Sequence, residues 1–128
     1  MNFRAFFAPL LLLTVFIAFA CNKNSDYIDS DIYTAEIKST VTCANYYACI
    51  VTKGNIDLDL VDNTWRYDKN IYQKAFRVLN HCAFPKNLGP GSSFRFKILQ
   101  NPTRTSCMVC AIGILNPPSK SLNIEVVP

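Results

Sequence analysis

IYTAEIKSTVTC, residues 32–43, is the stretch whose reading decides the fold. Tyr33, Ala35, Ile37, Val41 and Cys43 fall on one parity, and Thr34, Glu36, Lys38, Thr40 and Thr42 on the other. A strand turns successive side chains to opposite faces, so this alternation predicts a half-buried β-strand. The reading extends forward. YYACIVT, residues 46–52, is rich in β-formers, and Lys53-Gly54-Asn55 signals a turn. IDLDLV, residues 56–61, then sets Ile56, Leu58 and Leu60 inward against Asp57 and Asp59. Two such runs across a Gly-Asn turn predict a hairpin.

Further along, DNTWRYDKN (62–70) reads as a polar connection holding the one tryptophan, Trp65. Residues 71–82 are ambiguous. Ile71, Ala75, Val78, Leu79 and Cys82 fall at helical spacing, yet AFRVLN also reads as a strand with Phe76 and Val78 inward. The strand is the preferred reading, after a helical turn. PKNLGPGSS (85–93) has the prolines and glycines of a loop. FRFKIL (94–99) alternates Phe94, Phe96 and Ile98 against Arg95 and Lys97. CMVCAIGIL (107–115) is apolar throughout and short for a helix, which predicts a central strand, and LNIEVV (122–127) alternates again. About six short strands with no long helix predict an all-β domain over residues 32–128, a small OB-like barrel or sandwich. A chain of this length buries enough surface for one core. This strand pattern resembles small Bacteroidota lipoproteins with an OB-like barrel; the likeness spans most of residues 32–127 and rests on pattern rather than on a motif.

The N-terminus supplies an address. Arg4 precedes AFFAPLLLLTVFIAFA (5–20), an apolar run short of the roughly 20 residues a membrane span needs and without a basic flank after it. Residues 1–20 read as an export signal. AFAC followed by NKNSD resembles a bacterial lipoprotein signal in the Bacteroidota style. That resemblance implies a diacylglycerol thioether on Cys21, a third acyl chain on its amino group, and attachment to a membrane of the cell envelope, the outer membrane above all. The sequence has Ala18 and Phe19 where that pattern favours leucine and a small residue. The alternative is ordinary secretion with Cys21 left as a thiol. Residues 21–31 are polar, with three aspartates, and read as a flexible tether.

Six cysteines are present: Cys21, Cys43, Cys49, Cys82, Cys107 and Cys110. Export favours disulfides. With Cys21 acylated an odd number remains, and spacing does not determine the connectivity. If residues 107–114 are a strand, Cys107 and Cys110 lie about 10 Å apart on opposite faces, beyond the roughly 7 Å limit for a bridge. Each would then bond to a neighbouring strand. Cys43, Cys49, Cys107 and Cys110 are the expected bridge formers and Cys82 the odd thiol. The rival expectation is a thiol-redox or metal-handling protein built on the Cys107/Cys110 pair. Its metal version recruits His81, the only histidine, and Cys82 beside it.

No Gly-x-Ser-x-Gly elbow and no phosphate-binding glycine loop occurs, and a lone histidine leaves little scope for a nucleophile, base and orienter. Asp57, Asp59, Asp62 and Asp68 are better explained as exposed strand and turn residues than as a carboxylate pair. The expectation is a non-enzyme without cofactor that binds a ligand or partner, or supports an envelope assembly. Charge is uneven: residues 21–68 carry four basic and eight acidic groups, and residues 69–128 eight basic and one acidic. The halves can neutralise one another. Alternatively Lys74, Arg77, Arg95, Lys97 and Arg104 form a basic face for an anionic lipid or glycan. Nucleic acid is not an expected partner, because the phenylalanines of FRFKIL face away from its cations and export removes the chain from the cytosol.

Overall fold

A computed structural model of the chain describes residues 32–101 and 104–128. The leader, Cys21 and the tether lie outside these residues. The described chain contains eight strands and three single 3₁₀ turns: β1 (Ile32–Val41), β2 (Tyr46–Lys53), β3 (Trp65–Tyr67), β4 (Asn70–Tyr72), β5 (Ala75–Val78), β6 (Ser93–Ile98), β7 (Ser121–Leu122) and β8 (Ile124–Val127). Six strands form one sheet in the order β7-β5-β2-β1-β6-β8, and β3 and β4 pair as a separate hairpin. All neighbours in the large sheet are antiparallel except β5 and β7. No described helix is long and apolar enough to cross a membrane.

The two ends of this sheet are one segment of chain. β7 pairs with β5 and β8 pairs with β6, and only Asn123 lies between them. The carbonyl of Leu122 accepts from Leu79 N at 2.8 Å, on the β5 side, while that of Asn123 accepts from Leu99 N at 2.9 Å, on the β6 side. The sheet therefore curls until its edges meet on residues 121–127. The first three long strands form a meander, the fourth lies beside the first, and the last is inserted between fourth and third, parallel to the third. The result is an all-β, curled half-barrel sheet with an OB-like strand order, consistent with the small barrel or sandwich expected from the sequence, which did not specify the order. Asn80 secures the closure: its amide nitrogen donates to Ile124 O at 2.7 Å and its oxygen accepts from Ile124 N at 2.8 Å.

Alternation in β1, β6 and β8 puts the expected side chains inside, and β2 adds Tyr47, Cys49 and Val51 to them. Ala35, Ile37, Tyr47, Cys49, Val51, Phe76, Val78, Phe94, Phe96, Leu122 and Ile124 are buried together. Phe84, from the β5–β6 connection, fills one end, with ring centroids 4.5 Å from Tyr47 and 5.2 Å from Phe94. Each such phenylalanine contributes roughly 1.5–3 kcal/mol by leaving water. A bulge in β1, where the register passes from Ile37↔Cys49 to Ser39↔Ala48, bends that strand around the core. Residues 71–82 are strand where strand was preferred, with Phe76 and Val78 inward; the single turn, His81–Ala83, follows the strand rather than preceding it.

Three expectations are overturned. Residues 56–61 are not a strand paired to β2, because Asp57 accepts a hydrogen bond from Asp59 N at 2.9 Å and caps the turn Leu58–Leu60. Ile56 and Val61 reach the core while Leu58 and Leu60 are exposed. The supposed polar connection at 62–70 includes β3 and the start of β4, which fold over the outer face of β2. There Trp65 packs with Ala48 and Ala75, and stacks on Tyr67 at 5.1 Å. Finally, CMVCAIGIL is not a central strand. Residues 104–115 form no strand at all, and Met108 is 96% exposed and Leu115 91%.

Candidate functional site

The 104–115 loop and the segment after it are fastened to the barrel at three places. Cys107 is bonded to Cys82, in the turn after β5, and Cys110 is bonded to Cys43, in the β1–β2 turn, with Cα separations of 5.5 and 5.3 Å. Cys110 N also donates to Cys43 O at 2.9 Å. Beyond the loop, Trp65 Nε1 donates to Asn116 O at 2.9 Å, Asn116 donates to Arg66 O, and Asp62 accepts from both the backbone N–H and the hydroxyl of Ser119. Pro118 is fully buried there.

These bridges correct two cysteine assignments. Cys82 is a bridge partner, not the odd thiol, because the turn His81–Ala83 turns it toward Cys107. Cys49 is not a bridge partner. It points into the core from β2, fully buried and free, and burial pushes its thiol pKa well above the ordinary value of 9.0. Cys107 and Cys110 do take separate partners, as expected, although from a loop rather than a strand. They do not bond to each other, which removes the Cys107/Cys110 redox pair. The alternative ligand set His81, Cys82, Cys107 and Cys110 is three-quarters assembled: the ligand atoms of the first three lie within 4.8 Å of one another, whereas Cys110 belongs to the other bridge. His81 Nδ1 is 3.5 Å from Cys82 Sγ and 3.8 Å from Cys107 Sγ. A cavity of about 650 Å³ opens beside them, lined in part by Asn80, Arg104 and Ser106.

Asn45 was not singled out by the sequence. It occupies the left-handed region at φ 48°, which asparagine tolerates, and closes the β1–β2 turn through its N–H to Thr42 O at 3.1 Å. Its side chain donates toward Cys107 Sγ at 3.3 Å and Met108 O at 3.4 Å, and so supports the loop from below. An asparagine between two β-forming runs, a turn residue that tolerates positive φ, was the available signal.

The basic residues are not gathered. Arg77 on β5 stands opposite Ser121, and Arg95 on β6 opposite Val127. Six residues along one extended segment separate those positions by about 20 Å. Lys97 faces Glu125 across the β6–β8 pair, and Arg95 donates to Pro128 O at 2.6 Å. Arg77 instead lies near Tyr46, whose pKa is raised to about 12 by burial, partly offset by that guanidinium. Arg104 is on the loop, and Lys74 sits in the bend before β5 at φ 55°. Among the acids, Asp57 and Asp62 serve as a turn cap and an anchor, not as a facing pair.

The chain matches no protein-family model, no curated protein and no solved structure.

Proposed function

We propose that this chain is a non-catalytic binding module of the cell envelope, held at the outer membrane by lipid on Cys21, and that the 104–115 loop is the surface it offers to a protein partner. One observation carries the partner reading. Met108, Val109, Ile112 and Leu115 are large, apolar and exposed on one loop, and one cysteine of each disulfide lies in that loop. Four exposed large apolar side chains within eight residues are a concentration that a surface with nothing to meet seldom carries. A loop already clamped loses less entropy when it docks. The scattered cations favour an apolar protein surface over an anionic glycan or lipid headgroup as the partner. The disulfides are compatible with an extracytoplasmic location. The lipid anchor rests on the leader sequence alone.

The test is site-specific photocrosslinking in the native host, with the crosslinker at position 108 and, as control, at exposed Lys53 on the far end of β2. A discrete protein adduct from position 108 and none from position 53 is expected. Equal yields from the two positions, or none, refute the partner reading. Intact mass measurement of protein taken from native membranes decides the anchor separately: an unmodified Cys21, or a retained leader, removes it.

A further inference from the structure

We propose that His81, Cys82 and Cys107 form a transition-metal site that opens when the Cys82–Cys107 disulfide is reduced. The argument begins with edge lengths. A tetrahedral zinc ion with Zn–S of about 2.3 Å and Zn–N of about 2.0–2.1 Å has N···S edges of about 3.6 Å and an S···S edge of about 3.8 Å. The two N···S separations here are 3.5 and 3.8 Å. Both nitrogen–sulfur edges of a coordination polyhedron are therefore already in place. Only the sulfur–sulfur edge is wrong, because the sulfurs are bonded to each other.

Reduction corrects that edge. An external dithiol attacks the bridge, and its own two sulfurs become a disulfide. Two electrons and two protons pass to the protein, leaving Cys82 and Cys107 as thiols. The ion then binds both as thiolates, displacing two protons to solvent, with neutral His81 Nδ1 as third ligand. In the reverse step a cysteine thiolate of the site attacks an external disulfide and the second thiolate displaces the mixed disulfide, which re-forms the bridge, reduces the external disulfide to two thiols that take up two protons from solvent, and releases the ion.

The surroundings permit the motion. Cys107 lies in a stretch outside any strand, and Cys82 in a single 3₁₀ turn, so small side-chain rotations separate the sulfurs. Hydrogen bonds from Cys110 N to Cys43 O at 2.9 Å and from Asn45 to Met108 O at 3.4 Å do not depend on either bridge and keep Cys107 close while the sulfurs are apart. All three ligand residues are half-buried, and the 650 Å³ cavity beside them leaves the fourth position open to water or to an incoming thiolate. Two sulfurs and an imidazole suit a borderline or soft cation, Zn²⁺ or Cu⁺, rather than Mg²⁺ or Ca²⁺. A three-ligand site with an open position fits exchange of the ion with a partner better than permanent structural binding. This inference does not depend on the loop docking to a protein.

The experiment uses the whole wild-type chain. It is reduced anaerobically with a water-soluble phosphine, incubated with or without Zn²⁺, pulsed with iodoacetamide and mapped by peptide mass spectrometry. Zn²⁺ is expected to slow alkylation of Cys82 and Cys107 by about tenfold or more, leaving Cys43 and Cys110 unchanged, and His81→Ala is expected to abolish most of that protection. The unreduced chain should take up no ion. Labelling of buried Cys49 reports whether the reduced chain has unfolded; if it has, Zn²⁺ should restore the fold with the same two cysteines protected. Equal alkylation of all four surface cysteines with Zn²⁺, protection of Cys43 and Cys110 instead, or unchanged protection in His81→Ala would each overturn the proposal.

Discussion

Replacing both Cys43 and Cys110 with serine isolates what the longer bridge contributes. The two cysteines are 67 residues apart in sequence, and the span between them takes in β2, β5 and β6. Both lie at the surface, so serine opens no cavity. The native barrel keeps every buried side chain, and the effect falls on the unfolded chain, which regains the freedom the cross-link denied it. Loop-closure entropy for a span of that length gives about 4 kcal/mol at 25 °C, against about 3.5 kcal/mol for the 25-residue span of Cys82–Cys107. Either is a large share of the roughly 5–15 kcal/mol a domain of this size has in hand. The assay is urea unfolding followed by the fluorescence of Trp65, a single probe that is 4% exposed in the native state. The midpoint should fall sharply, the transition should stay cooperative, and the slope should rise because the denatured state is more expanded. A loss below about 1 kcal/mol, or of the native signal altogether, would refute the view that the bridge constrains the unfolded chain while the barrel core folds without it.

Three further substitutions probe the barrel itself. Gly54→Ala should lower stability by about 1–3 kcal/mol in the same assay, because Gly54 sits at φ 102° and an added Cβ would lie 2.7 Å from Tyr33 Cδ1. Asn80→Ala should cost about 2–3 kcal/mol by leaving both backbone groups of Ile124 unpaired, and amide exchange should rise at Ile124 while that of Phe94 and Phe96 is less affected. Cys49 makes the fold alkali-sensitive. Burial raises its folded pKa above the unfolded 9.0, so its contribution is intact below pH 9 and falls as pH rises further, by up to about 1.4 kcal/mol per pH unit. Cys49→Ala should flatten the fall between pH 9 and 10.5 measured by urea unfolding; an equally steep fall in that variant would assign the sensitivity elsewhere, to Tyr46 among others, which also resists ionisation.

Alternation made β1, β6 and β8 legible because each has one face in the core and one turned outward, the condition under which period two appears; β2, buried on both faces, was legible only from its β-forming residues. The same pattern misled at Ile56, Leu58 and Leu60. There the capping carboxylate of Asp57 closes a turn, and no inspection of apolar spacing alone reveals that a local hydrogen bond competes with strand pairing. The β3–β4 hairpin escaped notice because its strands are three residues long and its turn, Asp68-Lys69, lacks glycine although Asp68 adopts φ 57°. Connectivity of the cysteines was beyond reach for another reason. Which thiol is odd depends on which parity of β2 faces inward, and Cys49 shares that parity with Tyr47 and Val51. Had the inward face of β2 been settled first, Cys49 would have been recognised as a core residue and Cys82 released to bond.

The exposed apolar loop has a topological cause. Composition alone would bury CMVCAIGIL, and in an open sheet such a run would add itself to an edge. Here β5 is already paired by residues 121–122 and β6 by residues 124–127. Those pairings take the edges of β5 and β6 that the run could otherwise have joined. The barrel interior is also full, with Phe76, Phe84, Phe94 and Phe96 in mutual contact. The run that precedes the closing strand is therefore displaced to the outside, and the two disulfides rather than burial hold it there. A chain that needed only a stable barrel would have no use for apolar side chains at positions 108, 109, 112 and 115. Their exposure on a doubly bridged loop is what the proposed partner would explain.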